Sequence, residues 1–161
     1  MNNPSVRFHS TAIFVSDIAR TKAFYTGLLG QEIQLDFGRN VILKSSLTLW
    51  EIQQTHIIPQ TLGQEQTAGP CGNRFEVYFE TSALDHVYEQ LTAAGVEFLH
   101  PVHEEPWGQR TIRCFDPDRH LIEIGEPLEI FIGRLYSKGM SPEQITEKTG
   151  VPINKVREIT R

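Results

Sequence analysis

The chain has 161 residues, a formal charge of −5, 39% hydrophobic and 22% charged residues. That length suits one domain with a sizeable core plus an appendage, and the balance is that of an ordinary soluble protein. No run reaches the length of a membrane span, and Met1–Val6 carries neither a basic nor an apolar leader region, so a cytoplasmic protein is expected. Cys71 and Cys114 are too few for a disulfide framework and are read as reduced thiols, Cys114 inside a strand.

The elements follow in chain order. Val6–Val15 reads as a strand of mixed polarity. Asp17 caps a helix whose apolar positions are Ile18, Ala23, Phe24 and Leu28, and Gly30 ends it. Short strands are expected at Glu32–Phe37, Asn40–Lys44 and Ser46–Gln53. Gln54–Gly72 is rich in Gln, Thr, Gly and Pro and reads as a mobile connector. The order then repeats. Arg74–Thr81 alternates as a strand, Ser82 caps a helix running to Ala94, and Val96–Leu99 is a short strand. Pro106–Arg110 is a turn into a strand at Thr111–Cys114. Asp116-Pro117-Asp118 is a second turn, because Asp side chains bond nearby backbone and Pro presets φ. Leu121–Ile124 closes the repeat as an apolar strand that carries Glu123. A carboxylate there is costly to bury unless it is paired, protonated or metal-bound.

From Pro127 the character changes. A helix is expected over Pro127–Lys138, stopped by Gly139. Ser141 and Gln144 form a capping box for a second helix ending at Gly150, and a third begins at Pro152. The stretch 140–159 looks like a helix-turn-helix. Residues 129–161 carry +2 against −7 for residues 1–128, which gives little counterion-release affinity for nucleic acid. The tail is therefore read as packing, a dimer contact or a lid, with no membrane or nucleic-acid partner.

The doubled strand–helix–three-strand order, the phrase at 15–30, Leu91–Glu97, and the hairpin from Trp107 to Ile124 together resemble the vicinal oxygen chelate superfamily. That superfamily holds glyoxalase I, bleomycin-resistance proteins, extradiol dioxygenases and methylmalonyl-CoA epimerase. The resemblance covers about residues 6–128. It implies an α+β fold of paired βαβββ modules, about 6–62 and 73–128, within a domain 1–128, followed by the helical extension 129–161.

The resemblance also implies a site. The positions that usually hold metal ligands carry Ser10, Glu51, Glu76 and Glu123 here, so both usual His positions are changed. His9 lies one residue from Ser10 and points to the other face unless a bulge intervenes. The implied metal ligands are Glu51, Glu76 and Glu123, with Glu76 and Glu123 also as proton-moving catalytic groups. Ser10, Phe14, Trp50, Trp107 and Arg113 are the implied pocket residues. An oxygen-only set suits manganese or magnesium better than zinc or nickel, with iron also within the family's range. Three carboxylates without a cation repel and push a pKa upward. A metal, a cationic ligand or Arg113 would relieve that repulsion. Elsewhere, His56, His86, His100, His103 and His120 are read as loop or surface residues, and His100-x-x-His103-Glu104-Glu105 as a solvated loop or a stray metal site. The expected function is a glyoxalase-like, metal-dependent lyase, isomerase or dioxygenase acting on a small metabolite as a homodimer. The alternative is a metal-free, bleomycin-resistance-like binding protein.

Overall fold

The computed structural model describes residues 8–68 and 75–161. Cys71 and the start of the strand expected at Arg74 lie outside them. Two compact units emerge: the first module together with Pro117–Arg119, and the second module together with the C-terminal tail.

The first unit holds β1 (Thr11–Phe14), α1 (Ile18–Ala23), β2 (Ile33–Asp36), β3 (Asn40–Leu43) and β4 (Leu47–Trp50). The sheet order is β1-β4-β3-β2, with β1 parallel to β4 and the other pairs antiparallel. Asp17 accepts from the Arg20 N–H at 2.9 Å and starts α1, which continues as a π-helical turn over Phe24–Leu28. Ile13, Val15, Val41, Leu43 and Leu49 are buried, as are Phe24 and Tyr25. Strand alternation puts these apolar strand residues on one face, leaving Ala12, Phe14, Ile42, Thr48 and Trp50 on the other. The connector is not a plain loop. It forms α2 (Ile57–Leu62) and α3 (Glu65–Ala68), and His56 caps α2 by accepting from the Ile58 N–H at 3.2 Å.

The second unit holds β5 (Val77–Glu80), α4 (Leu84–Ala93), β6 (Phe98–Glu104), β7 (Arg110–Phe115) and β8 (Leu121–Gly125) in the same order, β5-β8-β7-β6. Ala83, not Ser82, is the cap residue of α4, and it contributes no side-chain bond. Leu84, Leu91, Ile112, Cys114, Ile122 and Ile124 form the buried face. The turn before β8 forms as expected: Asp116 Oδ1 accepts from the His120 N–H at 2.8 Å, and Arg119 takes φ +66°. His120 is buried rather than exposed, its Nδ1 2.8 Å from Asp116 Oδ2.

The tail forms α5 (Leu128–Ser137), α6 (Pro142–Thr149) and α7 (Ile153–Ile159). The Ser141–Gln144 capping box is present, and Gly150 ends α6 in the left-handed region. Phe131, Ile132, Leu135, Ile145 and Val156 form its core. Arg134 anchors it, donating to the Gly108 carbonyl at 2.7 Å and to Glu126 at 2.6 Å.

The two sheets share one register. Phe14 pairs Trp50 as Glu80 pairs Gly125. Val15 then donates to the Trp50 carbonyl, and Thr81 to that of Gly125, both at 3.0 Å. The Glu51 N–H meets the Arg39 carbonyl at 2.8 Å, and the Glu126 N–H meets that of Arg110 at 3.0 Å. Ser10 therefore corresponds to Glu76, Thr48 to Glu123, Glu51 to Glu126, Arg39 to Arg110, and Ala19 to Asp85.

Candidate functional site

The face of the second sheet opposite α4 carries the polar residues. Glu123 on β8 pairs with Arg113 on β7 and with Tyr78 on β5, so period-two alternation sends all three side chains to that face. The Arg113 guanidinium sits at the centre. Its Nε donates to Glu76 at 3.0 Å, its Nη1 to Glu105 at 2.8 Å, and its Nη2 to Glu123 at short range. His100 Nε2 lies 3.3 Å from Nη1, while its Nδ1 is 2.7 Å from the Pro101 carbonyl. That pair of contacts fits the tautomer with the proton on Nδ1 and Nε2 accepting.

Glu123 is 5% exposed. Burial pushes its carboxyl up to about 7. Arg113 opposes the shift, and neighbouring Glu76 and Glu105 add to it. Glu105 moves the other way: the Arg113 hydrogen bond holds it below the ordinary carboxylate range. Three carboxylates and one guanidinium thus share a partly desolvated patch, and Glu123 is the group left nearest its titration at neutral pH.

Beside it runs a chain of hydrogen bonds. Trp107 Nε1 donates to Gln109 at 3.1 Å, Gln109 Nε2 to the Tyr78 hydroxyl at 2.9 Å, and Tyr78 to Glu80 at 3.1 Å. Burial pushes the Tyr78 phenol up to about 12, so it stays a donor. Gly125 makes room for this chain. A Cβ there would lie 2.7 Å from Gln109 Nε2 and 3.0 Å from the Tyr78 hydroxyl. Gly125→Ala is expected to displace Gln109, cost about 1 kcal/mol in urea unfolding, and shift the emission of half-exposed Trp107.

The residues expected from the sequence divide between the units. Glu76, Glu123 and Arg113 come together, joined by Glu105 and His100 from the stretch that reads in sequence as a solvated loop or a stray metal site. The missed signal was the hairpin: the Glu105–Gly108 turn returns the chain so that His100 pairs with Arg113. Trp107 lies at that turn. In the first unit, Phe14 and Trp50 form an edge-to-face pair at 5.8 Å, and Ser10 is half-buried just before β1. Glu51 does not stand at the first-module counterpart of Glu123; that residue is Thr48. Glu51 lies three positions on, accepting from the Ile18 N–H at 2.9 Å and pairing with Arg39 at 2.9 Å.

A divalent ion does not fit this donor set as it stands. The counterparts of Glu76 and Glu123 in the first module are hydroxyl residues, Ser10 and Thr48, and the two carboxylates are already joined to Arg113. Metal binding would require the guanidinium to leave three partners. Among the described residues, no group of three or more His, Cys, Asp or Glu is arranged to hold a metal. Cys114 is fully buried, its thiol pushed up to about 12, which leaves it unreactive.

The model of the glyoxalase-like domain family matches residues 8–129, ending where α5 begins. No curated protein matches. A protein of unknown function from Agrobacterium tumefaciens str. C58 is 34% identical, aligned over 78% of this chain and 98% of its own, with a TM-score of 0.66. A glyoxalase/bleomycin resistance protein/dioxygenase from Nocardioides is 26% identical over 77% of this chain and 85% of its own, TM-score 0.58. A lactoylglutathione lyase from Agrobacterium tumefaciens, at 24% identity over 78% and 96%, TM-score 0.52, shares the fold. With the family model covering most of the chain and the paired βαβββ modules in place, this protein belongs to the glyoxalase-like domain family.

Proposed function

We propose that this protein binds a small molecule on the Glu76–Arg113–Glu123 face without a divalent ion, in the manner of a bleomycin-resistance-type member of its family. The observation that supports this is the Arg113 guanidinium, paired with Glu76, Glu105 and Glu123 where a metal would otherwise balance their charge. Arg113 fixes the carboxylates, Glu123 can accept or release a proton near neutral pH, and Tyr78 and Trp107 supply aromatic surface. The competing reading is a metal-dependent lyase, isomerase or dioxygenase using Glu76 and Glu123. It requires Arg113 to swing away.

Metal analysis after chelator-free purification, with thermal-shift screening, separates the two. The binding reading expects substoichiometric manganese, magnesium, nickel, zinc and iron. It also expects a melting temperature raised by metabolites but not by divalent ions. A stoichiometric ion retained through dialysis supports the enzyme instead. A homodimer is part of the proposal, supported by Leu35 and Phe37 exposed on and beside the edge strand β2. Light scattering of the full chain checks it. Among the described residues no helix is long and apolar enough to cross a membrane.

A further inference from the structure

The repeat in register exposes a difference between the modules. In the second, Arg110 is completed by a carboxylate: Nη1 and Nη2 reach Asp85 at 3.1 and 2.5 Å, while Glu126 lies 3.8 Å away. Its first-module counterpart, Arg39, keeps the Glu partner, Glu51 at 2.9 Å, but the residue matching Asp85 is Ala19. No other ion pair to Arg39 occurs among the described residues. The Arg39 side chain is 58% exposed against 28% for Arg110.

Arg39 borders two adjoining cavities of the first unit. One, of about 490 Å³, lies against Glu51, Gln54 and Thr67; the other, of about 340 Å³, reaches Trp50 and His56. These volumes suit a small ligand. The chemistry of the walls gives its sign. Both Glu51 oxygens are engaged, one by the Ile18 N–H and one by Arg39. Arg39 has N–H groups beyond the one bound to Glu51. His56 Nδ1 accepts from the Ile58 N–H, which puts the proton of a neutral ring on Nε2 as a further donor. The remaining Arg39 N–H groups ask for an acceptor, and Trp50 with His56 offers an aromatic flank at 5.2 Å ring separation.

We infer that the Arg39 cavity binds a small aromatic carboxylate, whose carboxylate pairs with the Arg39 guanidinium as Asp85 pairs with that of Arg110. The site lies wholly in the first unit and is independent of the function proposed for the Arg113 face.

The test uses the full chain and ¹H–¹⁵N NMR of the Arg39 Nε–H and the Trp50 indole. Benzoate and phenylacetate are titrated to about 10 mM, which fills a site of millimolar Kd. Benzamide and benzylamine serve as neutral and cationic counterparts. The inference expects saturable shifts of both reporters with the acids and at least tenfold weaker binding of the counterparts. Arg39→Gln should remove the response. Ala19→Asp should supply the missing carboxylate internally, weaken the acids at least tenfold, and keep or raise the melting temperature, since an acidic residue is favourable in the first turn of α1. No saturable shift, equal binding of benzamide, or an unaltered titration in a folded Ala19→Asp protein overturns the inference.

Discussion

Arg113→Gln is expected to lower stability by about 3 kcal/mol at pH 8, because it leaves Glu76, Glu105 and Glu123 together with no cation. The loss has a pH signature. Without the guanidinium, the Glu105 carboxyl loses the partner that lowers it and the Glu123 carboxyl rises further above its unfolded value. The folded protein then holds protons that the unfolded chain releases, and the deficit shrinks as pH falls toward 5. Divalent ions should now raise the melting temperature, since the variant presents oxygen ligands freed from Arg113. Urea unfolding at pH 5 and pH 8, with and without manganese, measures all of this. A variant as stable as the parent at pH 8 would mean the cluster is solvated and the ion pairs carry little.

Glu123→Gln should act in the opposite direction. The folded pKa of Glu123 is raised from 4.5 to about 7, chiefly by burial. For a carboxyl raised on folding, the stability of the protonated form is complete below pH 4.5 and is lost as pH rises through 7. Gln keeps the shape of the neutral acid. The variant should therefore match the parent near pH 4.5 and exceed it by about 1–3 kcal/mol above pH 7. Unfolding curves across that range check the slope. Equal stability at every pH would mark Glu123 as an ordinary strand carboxylate.

Much of the fold was legible because local chemistry and tertiary structure agree. Asp116-Pro117-Asp118 makes its turn through its own side chain, and Ser141 with Gln144 caps α6 as a reciprocal pair. The doubled element order is written in the alternation of Ile13, Leu49, Phe79 and Ile124 and in the glycines after each helix. The connector was illegible for a physical reason. Its helices α2 and α3 are short, have no long apolar period, and α2 is started by a histidine cap rather than Ser, Thr or Asp.

The resemblance named Glu76, Arg113 and Glu123, and strand alternation with the hairpin places these side chains on one face. Glu51 was placed three residues off. In the sequence it is the only carboxylate near β4, and resemblance alone does not set register. The backbone does: Glu51 N–H to Arg39 C=O repeats as Glu126 N–H to Arg110 C=O, which makes Thr48 the counterpart of Glu123. Burial of His120 could not be read from spacing, because it depends on Asp116 folding back onto the ring.

The most direct test is carbon-detected NMR of the glutamate carboxyls from pH 4 to pH 9, with and without manganese. The account predicts that Glu123 titrates near 7, that Glu105 titrates below the ordinary carboxylate range, and that micromolar manganese broadens neither Glu76 nor Glu123 while Arg113 is in place. Selective broadening of Glu76 and Glu123 by manganese in the unaltered protein, with loss of the Glu123 titration near neutral pH, would contradict it.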